Sequence, residues 1–284
     1  MILSMTCWGF SWTAGKVMAA YGPPMTISFL RFTVTFVSML LILVILKESF
    51  RISKKGLPDL LAASVTISIY TYLFFKGLVT GKAGAGGVLV TVMNPIFSYA
   101  IMLAMAKRRP TRNETIGLLL GLLAGVVLLK LPMEADKIFS AGNIYFLLAA
   151  IAWAILSVFT SRASRYGSTV TFSAWMYGVS TFLLLLFAGI EGPMTTVAEA
   201  DMKFWLNLFF SATITTSLAT TFYFVATSRI GASQASSYIF MVPFSAAIGS
   251  WIFLGEVPLW HTIVGGLLGI AAVYQLNKKE GLRK

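Results

Sequence analysis

Ten stretches of about twenty mostly apolar residues follow one another along the chain, near 2–20, 25–46, 57–79, 84–106, 113–132, 141–162, 170–190, 203–228, 233–254 and 260–277. A helix rises ~1.5 Å per residue, so roughly 20 residues span the hydrocarbon core of a bilayer. Inside lipid every backbone N–H and C=O needs a partner within the protein, which leaves helices and closed barrels as the only spanning structures. The alternation of apolar and polar residues that barrel strands require is not seen. The chain therefore reads as an all-α integral membrane protein with ten transmembrane helices. Composition points the same way: 57% of residues are hydrophobic and 11% charged, and the mean hydropathy is +0.83, far from the average of soluble domains. The connections are short and leave almost no chain for a soluble domain.

A formal charge of +12 could suggest a nucleic-acid partner, but its placement argues for topology instead. With the N-terminus in the cytoplasm, the inward loops collect Lys47, Arg51, Lys54, Lys55, Lys107, Arg108, Arg109, Arg112, Arg162, Arg165 and Arg229, and the tail adds Lys278, Lys279, Arg283 and Lys284. The opposite loops hold Lys82, Lys137 and Lys203 against Glu134, Asp136, Glu191, Glu199, Asp201 and Glu256. This Lys/Arg bias is the positive-inside signal. It predicts both termini in the cytoplasm, a multi-pass plasma (inner) membrane location, and the lipid bilayer rather than nucleic acid as the large partner. The single cysteine, Cys7, excludes a disulfide framework within one chain. The first span starts almost at Met1, lacks a basic leader and carries two tryptophans and a lysine, so a cleaved signal peptide is not expected.

The chain is also doubled. Residues 71–125 reappear without a gap at 219–273, an offset of 148: Phe74 falls on Phe222, Met93 on Met241, Pro95 on Pro243 and Pro110 on Pro258. Gly117, Leu119, Leu120, Gly121 and Ala124 fall on Gly265, Leu267, Leu268, Gly269 and Ala272. The expected organisation is a first repeat over 1–132, a linker at 133–140, a second repeat over 141–277 and a basic tail at 278–284. Each repeat holds five spans. Because five is odd, the second repeat must enter the membrane upside down, which gives two inverted five-helix repeats. Arg108 aligned with Glu256 fits that inversion, since equivalent positions then lie on opposite faces. Inverted repeats suit alternating access, in which a central site opens to one side and then the other.

The first repeat opens with Trp8-Gly9, then Lys16, Pro23-Pro24 and Arg31; the second ends with Pro243, Glu256, Gly265-Gly266 and Gly269. Over essentially its whole length the chain resembles EamA-type members of the drug/metabolite transporter superfamily, which have two five-helix repeats. The resemblance implies a cavity lined by the first, third, fourth, sixth, eighth and ninth helices, which leaves Arg31 outside it. One departure stands out. Relatives often carry a Glu near the end of the fourth helix where this chain has Arg108, so no role for that acid carries over.

Several residues are candidates for contact with cargo. Trp8, Trp12 and Lys16 are spaced by four and stack on one side of the first helix. Facing a cavity, the rings offer apolar surface and the lysine attracts a carboxylate; facing lipid, the rings pack and the lysine snorkels to the outer interface. Arg31 lies deeper, where a charge costs roughly 2.5–3.5 kcal/mol on insertion scales, so it needs either helix-end carbonyls or substrate as a partner. Tyr70 and Phe74 on the third helix, Trp153 on the sixth, and Phe222 and Tyr223 on the eighth, after a Ser/Thr run at 211–221, are aromatic candidates. Pro95 and Pro243 are read as interrupting the fourth and ninth helices at equivalent places, a pointer to a binding site in transporters. Thr91, Asn94, Ser236, Ser237 and Tyr238 are the polar side chains nearby. Gly121 and Gly269 belong to small-residue stripes that let helices approach closely within one chain, or alternatively in a homodimer.

No Asp or Glu lies in the middle of a span, and the lone His261 sits near an outer helix end. A buried proton relay, a zinc centre and an intramembrane acid protease therefore lack their groups, and no metal or cofactor is expected. The leading expectation is a secondary transporter, not an enzyme, that exports a small amino-acid-like metabolite of zwitterionic or anionic character by facilitated diffusion or exchange. An exporter of drugs or quaternary ammonium compounds is the alternative, with a channel or a non-transporting membrane protein behind it. Glu256 and Arg31 are set apart as charges with a role of their own.

Overall fold

The computed structural model describes residues 1–130, 142–191, 193–223 and 241–277. The 133–140 linker, the tail, Arg229, and the candidates Ser236, Ser237 and Tyr238 lie outside the described residues. Among those described, all regular structure is helical. The long helices are α1 (Ile2–Met18), α2 (Pro24–Ile45), α3 (Leu57–Thr80), α4 (Ala83–Ala106), α5 (Arg112–Leu128), α6 (Asn143–Thr160) and α7 (Thr169–Glu191). A short helix at Pro193–Glu199 leads to α8 (Met202–Phe209), which continues as a π-helix over Phe210–Ala219, and then come α9 (Met241–Leu254) and α10 (Trp260–Asn277).

Five helical stretches among the described residues are long and apolar enough to cross a membrane: Pro24–Ile45, Lys54–Thr80, Ala83–Ala106, Asn143–Arg165 and Thr169–Gly189. Met241–Leu254 and Trp260–Leu276 are shorter and equally apolar in character. The protein is a membrane protein, and its exposed side chains say why. Leu41, Val44, Leu119, Leu122, Leu186, Phe187 and Ile252 all point outward, which is costly in water and favourable against lipid.

Local sequence explains where helices start. Pro24 opens α2 and Pro58 sits in the first turn of α3, positions where a missing N–H costs nothing. Thr111 and Glu114 form a reciprocal capping box on α5, and Asp201 accepts the N–H of Phe204 at 2.9 Å to cap α8.

Bonds between helix ends fix the direction of each helix. Lys16 near the end of α1 reaches the last carbonyls of α3, Tyr21 after α1 meets Asp201 before α8, and Glu256 between α9 and α10 meets the start of α4. All of these lie at one end of the bundle. At the other end Asp59, in the first turn of α3, meets Arg162 and Tyr166 after α6. Consequently α1 and α6 run in opposite directions, as do α3 and α8, and α4 and α9. Neighbour relations also repeat when helices are exchanged five apart. α1 packs on α9 as α6 packs on α4, α3 packs on α6 as α8 packs on α1, and α2 packs on α8 as α7 packs on α3, while α2·α7, α4·α9 and α5·α10 pair with their own counterparts.

Small residues set the closest approaches. A Cβ at Gly9 would sit 2.3 Å from Cβ of Ser245 and 2.7 Å from the Ala246 backbone nitrogen, so α1 and α9 touch along their main chains. The stripe on α5 is used inside the chain: Gly117 faces Leu276 of α10 and Gly121 faces Ile96 of α4, while Gly269 of α10 faces Val92 of α4.

Two large apolar cores result, beside a smaller one of Ile96, Ala272, Val273 and Leu276. One gathers Trp12, Phe74, Phe75, Val88, Phe146 and Phe204 toward the Lys16 end; the other gathers Phe32, Met39, Leu60, Ile67, Phe172 and Tyr177 toward the Asp59 end. Tyr70 packs against both.

Candidate functional site

The plane between the two cores holds a cation. Arg31, the eighth residue of α2, is only 8% exposed. Its Nη2 donates to Oγ1 of Thr216 at 3.1 Å, and its guanidinium carbon lies 5.3 Å from the Phe74 ring centroid and 5.8 Å from that of Phe75. Its Nε is buried with no hydrogen-bond partner. No carboxylate among the described residues pairs with it. The titratable groups acting on it are the phenols of Tyr70 and Tyr177, neutral near pH 7 for an ordinary phenol.

Aromatic rings extend from this point. Phe74 packs on Trp12 at 4.6 Å and on Tyr70 at 6.1 Å between centroids, and Tyr70 stands edge-on to Trp153 at 4.7 Å. Trp12 also meets Phe146 at 5.7 Å. Trp12 and Phe74 are almost fully buried, whereas Tyr70 and Trp153 are half-buried. Five of the residues singled out from the sequence, Trp12, Arg31, Tyr70, Phe74 and Trp153, thus form one cluster drawn from four helices.

A second group lies alongside it. Nε1 of Trp8 donates to the Thr215 carbonyl at 3.3 Å, and its ring lies 5.3 Å from that of Tyr223. Trp8 and Arg31 therefore both bond to the π-helix, at adjacent residues. There the hydroxyls of Thr216 and Ser217 bond to carbonyls five residues back, Ser211 and Ala212. These bonds suit the wider π turn, and hydroxyl back-bonding of this kind competes with the regular α ladder. On the α2 side Ser38 bonds to Thr213 at 2.8 Å. The Ser/Thr run, which contains Thr215 and Thr216, marks this segment in the sequence, but nothing in it distinguishes π from α winding; Phe75 belongs with the aromatic residues of the third helix, and Tyr177 carries no signal of its own in the sequence.

Other candidates lie elsewhere. Lys16 does not join the aromatic cluster; its Nζ donates to the carbonyls of Leu78 at 2.5 Å and Gly81 at 2.8 Å and so caps α3. This is the favoured position for a cation, at the negative end of the helix dipole. Glu256 complements it at the next helix. Its oxygens accept the N–H groups of Ala83 at 3.2 Å and Gly84 at 3.0 Å and the Ser250 hydroxyl at 2.6 Å, and Gly255 at φ 68° turns the chain to present it. A small cleft of about 40 Å³ beside Glu256, Lys82 and His261 belongs to this end of the bundle and not to the aromatic cluster.

Thr91 bonds to the Gly87 carbonyl of its own helix, and Asn94 accepts from Ser98 at 3.0 Å. α4 runs from Ala83 to Ala106 with Pro95 inside it, so the proline does not end the helix, and the Thr91 carbonyl loses its usual donor there. Pro243 is buried within α9. Phe222 is 56% exposed, unlike the clustered rings. Among the described residues no group of three or more His, Cys, Asp or Glu could hold a metal ion.

Comparison with known proteins follows from this geometry. A chain from Bacillus subtilis (strain 168) described as the uncharacterized transporter YoaV is 27% identical, covering 96% of this chain and 94% of its own. A probable terminal-alkyne amino-acid exporter from Streptantibioticus cattleyicolor is 27% identical over 79% of this chain and 74% of its own. A protein crystal structure superposes with a TM-score of 0.61 at 14% identity, covering 96% of this chain and 94% of that one, which shows a shared fold. The model of the EamA-like transporter family matches twice, at residues 1–130 and 140–277, and the chain belongs to that family.

Proposed function

We propose that this protein is a secondary transporter that exports a small zwitterionic or anionic metabolite of the amino-acid class, by alternating access of two inverted five-helix repeats in the plasma (inner) membrane. The observation that carries the reading is Arg31. A cation held between two apolar cores costs roughly 2.5–3.5 kcal/mol on insertion scales, and its one hydroxyl bond and two ring faces leave Nε unmatched. A cargo carboxylate supplies the missing acceptor and the missing charge. The rings of Trp12, Tyr70, Phe74 and Trp153 supply flat apolar surface for the rest of a small solute. The neutral state of the protein is then the loaded one, so the cycle releases cargo by moving it away from Arg31 and not by titrating an acid.

The family match at both halves, the exchange of neighbours five helices apart and the opposite running of α1 and α6 support the inverted-repeat mechanism. The relative that bears an amino-acid exporter's name supports the cargo class. The test is counterflow in proteoliposomes loaded with amino acids, and in parallel with the amines that remain when their carboxylates are removed. Accumulation of a labelled amino acid against its carboxylate-bearing counterparts, with no exchange of the amines, is expected. Preferential exchange of the amines or of quaternary ammonium compounds overturns the reading in favour of a cation exporter.

A further inference from the structure

We infer that Tyr21–Asp201 and Tyr166–Asp59 are the two mouth closures of the transport cycle, one at each end of the bundle, and that they open in turn. The inference rests on the alternating-access reading. Oη of Tyr21, in the turn between α1 and α2, donates to Oδ1 of Asp201 at the start of α8, at 2.7 Å. Oη of Tyr166, in the turn after α6, donates to Oδ2 of Asp59 in the first turn of α3, at 2.6 Å. Each bond joins the turn after the first helix of one half to the beginning of the third helix of the other half. The tyrosines are in register: Tyr21-Gly22 and Thr26 match Tyr166-Gly167 and Thr171 at an offset of 145, the offset that also relates Trp8 to Trp153.

The acids share a place without sharing a register. Asp201 is the N-cap of α8, and Asp59 is the third residue of α3, so the same closure is reached from two different positions of the equivalent helix. Each tyrosine is also seated by the opposite half. Tyr21 packs its ring 5.2 Å from Phe204 of α8. The Tyr166 ring lies against Gly56, where a Cβ would come within 2.5 Å of it, and its carbonyl accepts the N–H of Ser53 at 2.9 Å.

A tyrosine bonded to a carboxylate suits a closure that must open repeatedly. The bond to a charged acceptor is stronger than one between neutral groups, yet at a half-wet mouth both partners find water when it breaks. The closures lie at opposite ends and differ in that Asp59 also accepts from Arg162 at 3.3 Å; loosening one favours the state open at that end, with the smaller effect for Tyr166, and loosening both moves the protein back toward balance.

The experiment uses full-length protein with Cys7→Ser and a single reporter, Thr91→Cys, whose hydroxyl bonds within α4 among the described residues. A membrane-impermeant maleimide is applied from either face of oriented proteoliposomes. Tyr21→Phe is expected to raise the labelling rate from the outer face and lower it from the inner face, roughly three- to tenfold, a charge-assisted hydrogen bond discounted for exposure. Tyr166→Phe is expected to do the reverse, and the double variant to return toward the parent. Asp201→Asn and Asp59→Asn repeat the test with the other partner of each pair. Shifts in the same direction for both tyrosines, or shifts below twofold, overturn the closure assignment while leaving alternating access standing. Fast labelling of the double variant from both faces at once overturns alternating access itself.

Discussion

Replacing Arg31 by Met separates a cargo ligand from a packing residue. The substitution removes a buried cation and with it an insertion cost of roughly 2.5–3.5 kcal/mol. It also removes the Thr216 hydrogen bond, about 1.5–3 kcal/mol for a charged donor, and the faces of Phe74 and Phe75, about 0.5–2 kcal/mol as a cation–π contact. These contributions oppose one another and nearly cancel, as when buried charges elsewhere are exchanged for apolar side chains of similar volume. Thermal unfolding of Arg31→Met in detergent should therefore stay close to that of the parent. Affinity for a carboxylate cargo should not. Losing a charge-assisted bond of about 1.5–3 kcal/mol weakens binding roughly tenfold to a hundredfold, read as a rise in the half-saturating concentration in counterflow. Carboxylate transport within about twofold of the parent, by protein that folds normally, would refute the assignment of Arg31 to cargo.

Three further outcomes follow from other parts of the structure. Gly9→Ala should lower thermal stability more than Gly121→Ala, since the new Cβ meets the α9 backbone at Ala246 in the first case and side-chain atoms of Ile96, Cδ1 and both Cγ, in the second; overpacking typically costs about 1–3 kcal/mol, and equal Tm values would count against main-chain contact of α1 with α9. Lys16→Ala should reduce stability by about 1.5–3 kcal/mol by uncapping α3 and should slow all cargoes alike. A loss confined to carboxylate cargo would return Lys16 to the binding site. The Phe204 N–H and then the Tyr21 hydroxyl hold the Asp201 carboxyl below its ordinary value of 3.8. With a depressed folded value the stabilisation is present above the unfolded value and is lost only as pH falls through the folded one, so the ratio of outer-face to inner-face labelling of the reporter, in which the pH dependence of the thiolate cancels, should be flat from pH 5 to 8. A midpoint within that window would show that another group controls this end.

Much of the fold was written in the hydropathy pattern, because lipid accepts only helices whose backbone is satisfied internally. The spans read at 25–46, 57–79, 84–106, 141–162 and 170–190 correspond to helices long enough to cross, with ends displaced by a few residues where capping decides them. The internal echo was equally legible, as the offset of 148 between residues 71–125 and 219–273. What periodicity could not supply was the identity of each side chain's neighbour. Trp8, Trp12 and Lys16 share one side of a helix, yet they meet α8, the aromatic cluster and the end of α3 respectively, because α1 is enclosed by several helices that each present something different.

Sequence by itself determined the solvent this chain folds in, the internal echo at an offset of 148 and the shortlist of residues too polar or too aromatic to be indifferent to their place. Tertiary structure decided which of them meet. Lys16 and Glu256 turned out to close the ends of α3 and α4, where helix dipoles and unpaired backbone groups offer a charge its cheapest site. Arg31 received no such carboxylate or helix end among the described residues, because it lies between two apolar cores and meets there a threonine on the π-helix and the rings of Phe74 and Phe75. The charge of a side chain is a property of one residue, while its compensation depends on every helix packed around it, and only the assembled bundle places those.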